Sequence, residues 1–179
     1  MRTVFCLLIA ALLFGCNNEK KSSEAEGSKT KAAALNTHGY TLAYETNYTI
    51  DNNTNSETVL SMYRDWDNNT LDNSKASLAD SVMLVLSDGT IINGARDSVF
   101  SAMANFRNMY TTVKSSVHAI LGAKATDKGE DWVMIWAREV HTDKSGKTDS
   151  TELQETWRFN KNGKVDVLYQ YSQAIQPPK

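Results

Sequence analysis

The strongest indication of the fold is the segment Glu155-Thr156-Trp157-Arg158-Phe159-Asn160-Lys161-Asn162-Gly163-Lys164-Val165. It joins two stretches with the composition of strands, Thr151 to Phe159 and Val165 to Tyr171. Between them, Asn160 to Gly163 is a short polar turn that ends in glycine, which is typical of a hairpin connection. The segment therefore predicts two adjacent antiparallel strands.

Two more turns of this kind precede it. Asp127-Lys128-Gly129 separates the predicted strands Val113 to Ala125 and Trp132 to Thr142, and Asp143-Lys144-Ser145-Gly146 leads from there to Thr151. Three successive short turns predict a meander of four antiparallel strands in the C-terminal half of the chain.

The preceding residues carry helical signals. A first helix is predicted from a cap at Asn55 or Ser56 to Asn68-Asn69, and a third from Ala95 to about Thr111. The apolar face of the first helix consists of Val59, Met62, Tyr63 and Trp66, and that of the third consists of Val99, Met103, Phe106 and Tyr110. This spacing matches one face of a helix that packs on a core.

Shorter elements are predicted around these helices. A second helix covers Ser74 to Ala79, and an apolar strand covers Val82 to Leu86. After the turn Ser87-Asp88-Gly89, Ile91-Ile92 forms its hairpin partner, and Asn93-Gly94 then breaks the chain. Tyr40 to Ile50 is predicted to be a strand or an extended arm. Because the helices come first and the meander last, we predict an α+β class, a cone-shaped fold with N-terminal helices packed on a strongly curved antiparallel β-sheet.

A family resemblance rests on the order of these motifs. Leu78-Ala79-Asp80-Ser81-Val82, Asp88-Gly89 and Gly94, followed by the segment from Glu155 to Val165, resemble a SnoaL-like domain over roughly residues 55 to 172. That family belongs to the nuclear transport factor 2-like superfamily. The resemblance implies a pocket between the helices and the concave sheet face, where different members bind steroids, polyketides or other small apolar molecules. Some members are isomerases, cyclases or dehydratases, so the fold alone does not determine the function.

Comparison with the steroid isomerases of this superfamily implies a candidate site. Glu155 takes the place of their protonated carboxyl on the penultimate strand and faces the pocket with Leu153 and Trp157. A carboxyl in an apolar cavity has a raised pKa and can donate a hydrogen bond to a ligand oxygen. The place of the catalytic base falls on Leu86, which cannot take a proton, so isomerase chemistry of that type is not expected. Tyr63 approximates the phenol partner.

The complete set of predicted ligand-binding residues is Tyr63, Trp66, Leu84, Leu86, Trp136, Glu155, Trp157 and Leu168. Several of them have a structural interpretation as well. Glu155 can pair with Arg138 or Arg158 on a neighbouring strand, and the three tryptophans can simply fill the core. His118 is a second candidate acid or base, or else a hydrogen-bonded structural residue. Tyr169 and Tyr171 are expected to turn outward, where they can form a homodimer surface.

Composition excludes other classes of function. The formal net charge is −2 with acids and bases interspersed, so no nucleic-acid partner is expected. His38, His118 and His141 lack the paired spacings of zinc ligands, and no phosphate-binding loop is present. We therefore predict neither a metal nor a cofactor.

The N-terminus predicts localisation. Arg2, the apolar run from Val4 to Phe14, Gly15 and Cys16 resemble a bacterial lipoprotein signal, with Phe14 where a smaller residue is usual. The run is too short to span a bilayer. We predict a signal peptide over residues 1–15 and lipidation of Cys16, and therefore a place in the bacterial cell envelope, with the membrane contacted through the lipid alone. A flexible tether then covers residues 16–38, the strand or arm 39–54, and the SnoaL-like domain 55–174.

Three functional hypotheses follow. The first is a membrane-tethered domain that binds a small apolar ligand, with Glu155 as the orienting group. The second is an enzyme of lyase or isomerase type that uses Glu155 or His118 as acid or base. The third is a dimeric interaction module of the cell envelope, which predicts that tryptophan and tyrosine side chains plug the pocket.

Overall fold

The computed structural model describes residues 35–44, 47–50 and 54–175. The chain divides into two units, Met1–Asn36 and Thr37–Lys179, and the fold given below is that of the second unit. The predicted signal peptide, Cys16 and most of the tether lie outside the described residues. Among the residues that are described, no helix has the length and apolar character needed to cross a membrane.

Seven strands and three helical segments make up the domain. In chain order they are β1 (Tyr48–Ile50), α1 (Thr54–Asn68), a 3₁₀ helix (Leu71–Ser77), β2 (Leu78–Val85), β3 (Ile91–Ala95), α2 (Arg96–Arg107), β4 (Tyr110–Ala125), β5 (Glu130–Asp143), β6 (Thr148–Phe159) and β7 (Val165–Ala174).

All seven strands form one curved, open sheet in the order β1-β4-β5-β6-β7-β2-β3. Every neighbouring pair is antiparallel except β2 and β7, which run parallel. Long strands β4 to β7 form the predicted meander, and the helices pack on one face of it. The predicted α+β class and the curved sheet under N-terminal helices are therefore confirmed.

The three predicted hairpin turns are confirmed as well. Gly129, Gly146 and Gly163 have φ values of +65°, +87° and +66°, which favour glycine over residues with a side chain. At each turn the glycine N–H donates to a carbonyl three or four residues earlier, as from Gly163 to Asn160 at 2.9 Å. These turns set strands β4 to β7 side by side.

Four local predictions were wrong in their limits. The second helix is a 3₁₀ helix that ends at Ser77, so β2 begins at Leu78 rather than at Val82. Asn93-Gly94 does not break the chain, because both residues pair with β2 inside strand β3. Helix α2 ends at Arg107, and Tyr110, predicted on its apolar face, is the first residue of β4. Within the predicted N-terminal strand or arm, the described residues Tyr48–Ile50 form a strand, which pairs with the edge of β4.

Side-chain alternation along the strands gives the sheet two different faces. The inner face is the one that packs against the helices, and its core also includes residues of α1 and α2. This core consists of Val59, Met62, Tyr63, Leu78, Val82, Leu84, Val99, Val133, Ile135, Ala137, Trp157, Phe159, Val165 and Leu168. The outer face is the opposite one. Because successive side chains of a strand point to opposite faces, every second residue faces the helices, and these residues can contribute to a site under them.

Arg107 joins the helices to the sheet. Its side chain is 2% exposed, and its guanidinium donates to the backbone oxygens of Trp66, Asp67 and Tyr110. Two of these oxygens belong to the last turn of α1, where backbone carbonyls have no partner within the helix. Arg107 thus stabilises the end of α1 from the end of α2 and holds both at the start of β4.

We expect Arg107→Met to lower the free energy of unfolding by about 2 to 4 kcal/mol, because three partly buried carbonyls lose their donor while the apolar stem is retained. Urea denaturation followed by circular dichroism measures this loss. Arg64→Met, at an exposed position of α1, is the matched control and is expected to stay within about 0.5 kcal/mol of wild type. Equal losses for the two variants would contradict the proposed anchoring role.

Candidate functional site

Glu155 is the centre of the candidate site. It lies on the inner face of β6 and is only 4% exposed. Its Oε2 accepts hydrogen bonds from the Tyr63 hydroxyl at 2.7 Å and from Trp157 Nε1 at 3.1 Å. Its Oε1 accepts one from Gln170 Nε2 at 2.8 Å. The carboxyl therefore has three donors, which come from α1, β6 and β7.

Local structure explains why these side chains meet. Glu155 and Trp157 are two residues apart on one strand and so project from the same face. Gln170 lies directly opposite Glu155 in the β6–β7 register. Tyr63 lies on the buried face of α1, which packs over that point of the sheet. Each partner is thus supplied by a different level of structure: strand parity, strand register and helix packing.

Burial controls the electrostatics of this group. Desolvation raises the pKa of Glu155 above its ordinary value, the hydrogen bonds from Gln170, Tyr63 and Trp157 lower it, and the charge of Glu139 adds a further rise. The pKa of Tyr63 is raised by burial and by the negative charge of Glu155, so the phenol remains a donor. A buried carboxyl without partners would cost several kcal/mol, and the three donors offset that cost.

The Glu155–Gln170 contact can exist in two protonation states. When Glu155 is ionised, the amide nitrogen of Gln170 donates to Oε1. When Glu155 is protonated, the proton belongs on Oε1, because Oε2 already accepts two hydrogen bonds. The amide of Gln170 can then turn and accept through its oxygen. Oε1 is therefore the atom of the site that can either accept or donate.

Apolar side chains surround the carboxyl on the inner face. Strand register places Ile120, Ile135, Glu155 and Gln170 in one cross-strand row, and Leu86 follows directly after the Val85–Tyr169 pair at the end of β2. Among the apolar residues that pack against the core, five are only partly buried: Leu86, Ile92, Phe100, Met103 and Ile120. The carboxyl thus lies in an apolar layer whose margins are open to solvent.

The structure brings together six of the eight predicted ligand-binding residues on the inner side of the sheet: Tyr63, Leu84, Leu86, Glu155, Trp157 and Leu168. Trp66 lies further along the same side of α1, where its Nε1 donates to Glu139 Oε2 at 2.8 Å. Its indole ring stacks on Phe106. Trp66 therefore lies at the border of the site, and its indole N–H binds Glu139 rather than Glu155.

Trp136 is on the other face of the sheet. It lies between Ile135 and Ala137, which are both buried in the core, and its own side chain is 39% exposed. The prediction that it shares a wall with Trp157 is wrong, because the two residues have opposite orientations in the sheet.

His118 and Glu155 do not form an acid–base pair. The imidazole of His118 is more than half exposed and its Nε2 lies 3.4 Å from Glu152 Oε2. The alternative pairing of Glu155 with an arginine is wrong too. Arg138 pairs with Glu152 at 2.7 Å, and Arg158 Nε donates to Asp166 Oδ1 at 2.9 Å. Glu155 is bound by neutral donors instead.

Sequence reasoning missed Gln170. Counting back from the Asn160–Gly163 turn, where Phe159 pairs with Val165, would place Tyr169 opposite Glu155. A bulge between Arg158 and Phe159 shifts the register by one residue and brings Gln170 to that position. Because a bulge adds a residue to one strand only, the length of the turn could not indicate that Gln170 lies opposite Glu155.

A second carboxyl on the inner face, largely shielded from solvent, was missed as well. Glu139 lies on the inner face near the end of α1, and its Oε1 is 3.3 Å from His141 Nδ1. Burial raises the pKa of Glu139, while the hydrogen bond from Trp66 and the neighbouring His141 lower it. No group of three histidine, cysteine or carboxylate side chains suited to a metal ion occurs within the described part of the chain.

In the described part of the chain, cavities lie on the outer face, of which two are considered below. One, of about 440 Å3, lies between the N-terminal arm and the sheet and is lined by Tyr44, Tyr48, Ile50, Leu121, Ala123, Trp132, Met134 and Thr156. The other, of about 360 Å3, is lined by His118, Trp136, Ala137, Glu152, Leu153, Gln154, Tyr171, Ser172 and Gln173. Neither includes Glu155. Gln170 is the partner of Glu155 that is only partly buried, so a ligand group that displaces its amide can reach the carboxyl.

We expect the effect of Glu155→Gln on stability to depend on pH. Because burial raises the pKa of Glu155 in the folded state, the stability that this group contributes is present below its unfolded pKa and is lost as pH rises through the folded pKa. Glutamine keeps the shape and cannot ionise. The variant should thus gain stability relative to wild type over the range above about pH 4, the ordinary pKa of a glutamate, as measured by urea denaturation at each pH. A difference that is constant over this range would contradict the raised pKa.

Comparison with known proteins gives matches in structure alone. No family model matches the chain, and no curated protein matches it. An NTF2-like protein of unknown function from Burkholderia pseudomallei matches with a TM-score of 0.56 and 16% identity, over 68% of this chain and 92% of that one.

Two proteins from Mycobacterium tuberculosis match similarly. An LEH-like epoxide hydrolase has a TM-score of 0.55 and 12% identity, over 66% of this chain and 82% of its own. A protein solved in complex with estradiol-17β-hemisuccinate has a TM-score of 0.53 and 14% identity, over 65% of this chain and 91% of its own. At such low identity a structural match establishes the fold and leaves the activity open. The domain therefore has the NTF2-like fold, that of the nuclear transport factor 2-like superfamily.

Proposed function

We propose that this domain binds a small, largely apolar molecule at the inner face of its sheet, with Glu155 as the group that orients the ligand. One observation carries the proposal: a buried carboxyl lies in an apolar row, and one of its oxygens is bonded by a partly buried glutamine side chain alone. Natural ligand sites combine apolar walls with a few placed polar groups.

Gln170 supports a specific route to that carboxyl. Tyr63 and Trp157 are buried and both bond Oε2, so they hold the carboxyl in place. Gln170 bonds Oε1 from the less buried side. A ligand oxygen or nitrogen that replaces the Gln170 amide would reach Oε1 without disturbing the other two hydrogen bonds.

Charge favours a neutral ligand. Glu155 and Glu139 both lie on the inner face, and the negative charge of one raises the pKa of the other. An anionic group would add a third negative charge in a poorly solvated region. A neutral carbonyl, hydroxyl or amide can instead use either protonation state of Glu155.

Acid–base catalysis has less support. Leu86 occupies the place that the resemblance assigns to a base, and His118 pairs with Glu152 instead. Glu139, the other carboxyl on the inner face described above, is engaged by Trp66 and lies close to His141. Beside Glu155, the Tyr63 hydroxyl is the proton-bearing group, and its pKa is raised, so it donates a hydrogen bond without taking up a proton, which favours binding over turnover.

A second candidate function is an interaction module. The observation that favours it is the filling of the space beside Glu155 by the side chains of Tyr63 and Trp157. In this case the inner face is a closed core, and recognition takes place elsewhere on the domain.

We further propose that the domain is held at the bacterial envelope by a lipid on Cys16. The support is the N-terminal sequence, in which the apolar run Val4 to Phe14 and Gly15 directly precede this cysteine.

Native mass spectrometry of protein purified from its own host tests the ligand proposal. We expect a non-covalently bound small molecule on wild type, less of it on Glu155→Gln, and more on Gln170→Ala, because the alanine removes the competing amide. Gln154→Ala is the matched control on the outer face of β6 and should leave occupancy unchanged. Absence of a bound molecule from wild type and from Gln170→Ala would reject the proposal and favour the interaction module.

For the anchor, we expect Cys16→Ser to move the protein from the membrane fraction to the soluble fraction, because the lipid is the proposed membrane contact. Cell fractionation and immunoblotting measure this change. The thermal midpoint of the purified domain should not change, since its core lies within residues 54–175. Retention of the variant in the membrane fraction would contradict the anchor.

A further inference from the structure

The cavity of about 440 Å3 on the outer face lies between two parts of the protein. One part is the sheet, which contributes Leu121, Ala123, Trp132, Met134 and Thr156. The other part is the N-terminal arm with strand β1, which contributes Tyr44, Tyr48 and Ile50. None of these eight lining residues carries a charge. We call this space the outer cavity.

Two small residues explain the hollow in the sheet. Ala123 pairs with Trp132 across β4 and β5, and Thr156 pairs with Met134 across β5 and β6. Because paired residues project from the same face of a sheet, a small side chain stands beside a large one in both pairs. The outer surface is therefore lower at Ala123 and Thr156 than at Trp132 and Met134.

Hydrogen bonds attach the arm to the rest of the domain beside this hollow. The Tyr44 hydroxyl donates to Glu130 Oε2 at 2.8 Å, and the Tyr44 and Trp132 rings meet edge to face with 6.2 Å between their centroids. The carbonyl oxygen of Asn47 accepts from the backbone N–H and the hydroxyl of Thr126 at 3.0 and 2.7 Å. The wall that the arm provides is thus held at two points.

The outer cavity suits an apolar molecule better than it suits water. Tyr48 and Ile50 line it and yet remain 47% and 64% exposed. A buried water molecule needs about two to four polar partners, and the side chains of Ile50, Leu121 and Ala123 offer none. A ligand that removes this apolar surface from water is favoured in proportion to the area that it covers.

Charged side chains near the cavity form ion pairs. Arg158 Nε donates to Asp166 Oδ1 at 2.9 Å, and Arg158 NH1 lies 3.6 Å from Glu130. Lys124 Nζ lies 3.4 Å from Asp131. A charged ligand would have to compete with these existing pairs, whereas an uncharged ligand would leave them intact. The surroundings of the outer cavity therefore favour an uncharged ligand.

The volume of the outer cavity limits the size of its ligand. An apolar cavity of about 150 Å3 binds benzene, and the outer cavity has about three times that volume. We propose that it binds an uncharged apolar molecule of about 10 to 18 non-hydrogen atoms, packed between the arm and the sheet. The rings of Tyr44, Tyr48 and Trp132 supply the aromatic part of the contact surface. This site is on the opposite face of the sheet from Glu155 and does not depend on the ligand proposed there.

Fluorescence titration of the purified full-length protein tests this proposal. The probe is N-phenyl-1-naphthylamine, an uncharged molecule of the proposed size whose emission increases in apolar surroundings. Its anionic analogue, 8-anilinonaphthalene-1-sulfonate, has the same rings and adds a sulfonate. We expect the uncharged probe to bind with a dissociation constant in the micromolar range and the anionic probe to bind about tenfold more weakly.

Variants then locate the site. Thr156→Leu and Ala123→Leu should each weaken binding of the uncharged probe about tenfold, because the larger side chains fill the hollow without removing apolar surface. Gln154→Leu is the matched control, since it adds a leucine to the same strand and face as Thr156 at a position that does not line the outer cavity. Circular dichroism and thermal melting of every variant establish that it is folded.

Four results would contradict the proposal. They are a lack of binding of the uncharged probe to wild type, equal affinity for the two probes, unchanged binding in both cavity-filling variants, and an equal loss in Gln154→Leu. If Glu155→Gln loses the probe while the cavity-filling variants retain it, the probe occupies the inner face, which rejects the outer site and leaves the ligand proposal for Glu155 in place. A wild-type dimer that both cavity-filling variants dissociate would also overturn the proposal, because a second copy of the chain would then cover the outer cavity.

Discussion

Burial of the Glu155 carboxyl is the constraint on which the inner side of this domain depends. A carboxyl that is 4% exposed needs donors, and it obtains them from the Tyr63 hydroxyl, the Trp157 indole and the Gln170 amide. These donors come from α1, β6 and β7, so satisfying one acid fixes how the first helix lies on the last two strands. The polar network at the centre of the domain is thus part of the packing.

Polar residues at the ends of α1 and α2 also hold these helices on the sheet. Arg107 binds the final carbonyls of α1 from the end of α2 and reaches Tyr110 at the start of β4. Asp67 at the end of α1 accepts hydrogen bonds from the backbone and hydroxyl of Ser115 on β4. The helices are therefore held over the sheet by directional polar contacts at one end and by apolar packing with Tyr63 over Glu155 further along. Such support is what keeps an orienting group in a fixed position.

The two faces of the sheet suit two different kinds of recognition. The inner face presents one carboxyl within an apolar layer, whereas the outer face presents exposed rings beside a charged and amide-bearing row. Both arise from the same strands, because side chains alternate in direction along β5 and β6. Ile135 and Trp136 show the consequence: neighbours in sequence belong to separate surfaces.

Sequence alone was sufficient for the class and for most of the elements, although the limits of β2, β3 and α2 were predicted wrongly. Glycine-containing turns at Gly129, Gly146 and Gly163 require φ values that few other residues adopt, so the four-strand meander could be predicted. The helical spacing of Val59, Met62 and Tyr63 likewise predicted α1, and the family resemblance pointed to Tyr63 and Glu155, which the structure joins by a hydrogen bond. Local signals of this kind depend on neighbouring residues only.

Tertiary structure determined which side chains meet across the sheet. The bulge between Arg158 and Phe159 brings Gln170 to Glu155 in place of Tyr169, and strand orientation turns Trp136 away from the site. Likewise, Arg138 pairs with Glu152 and Arg158 pairs with Asp166, so neither of the arginines expected as partners of Glu155 binds it. These features follow from register and from competition among long-range contacts, which no local pattern encodes. The sequence by itself determined the strands, turns and helices of this protein, whereas the partners of its buried carboxyl exist only once the sheet is assembled.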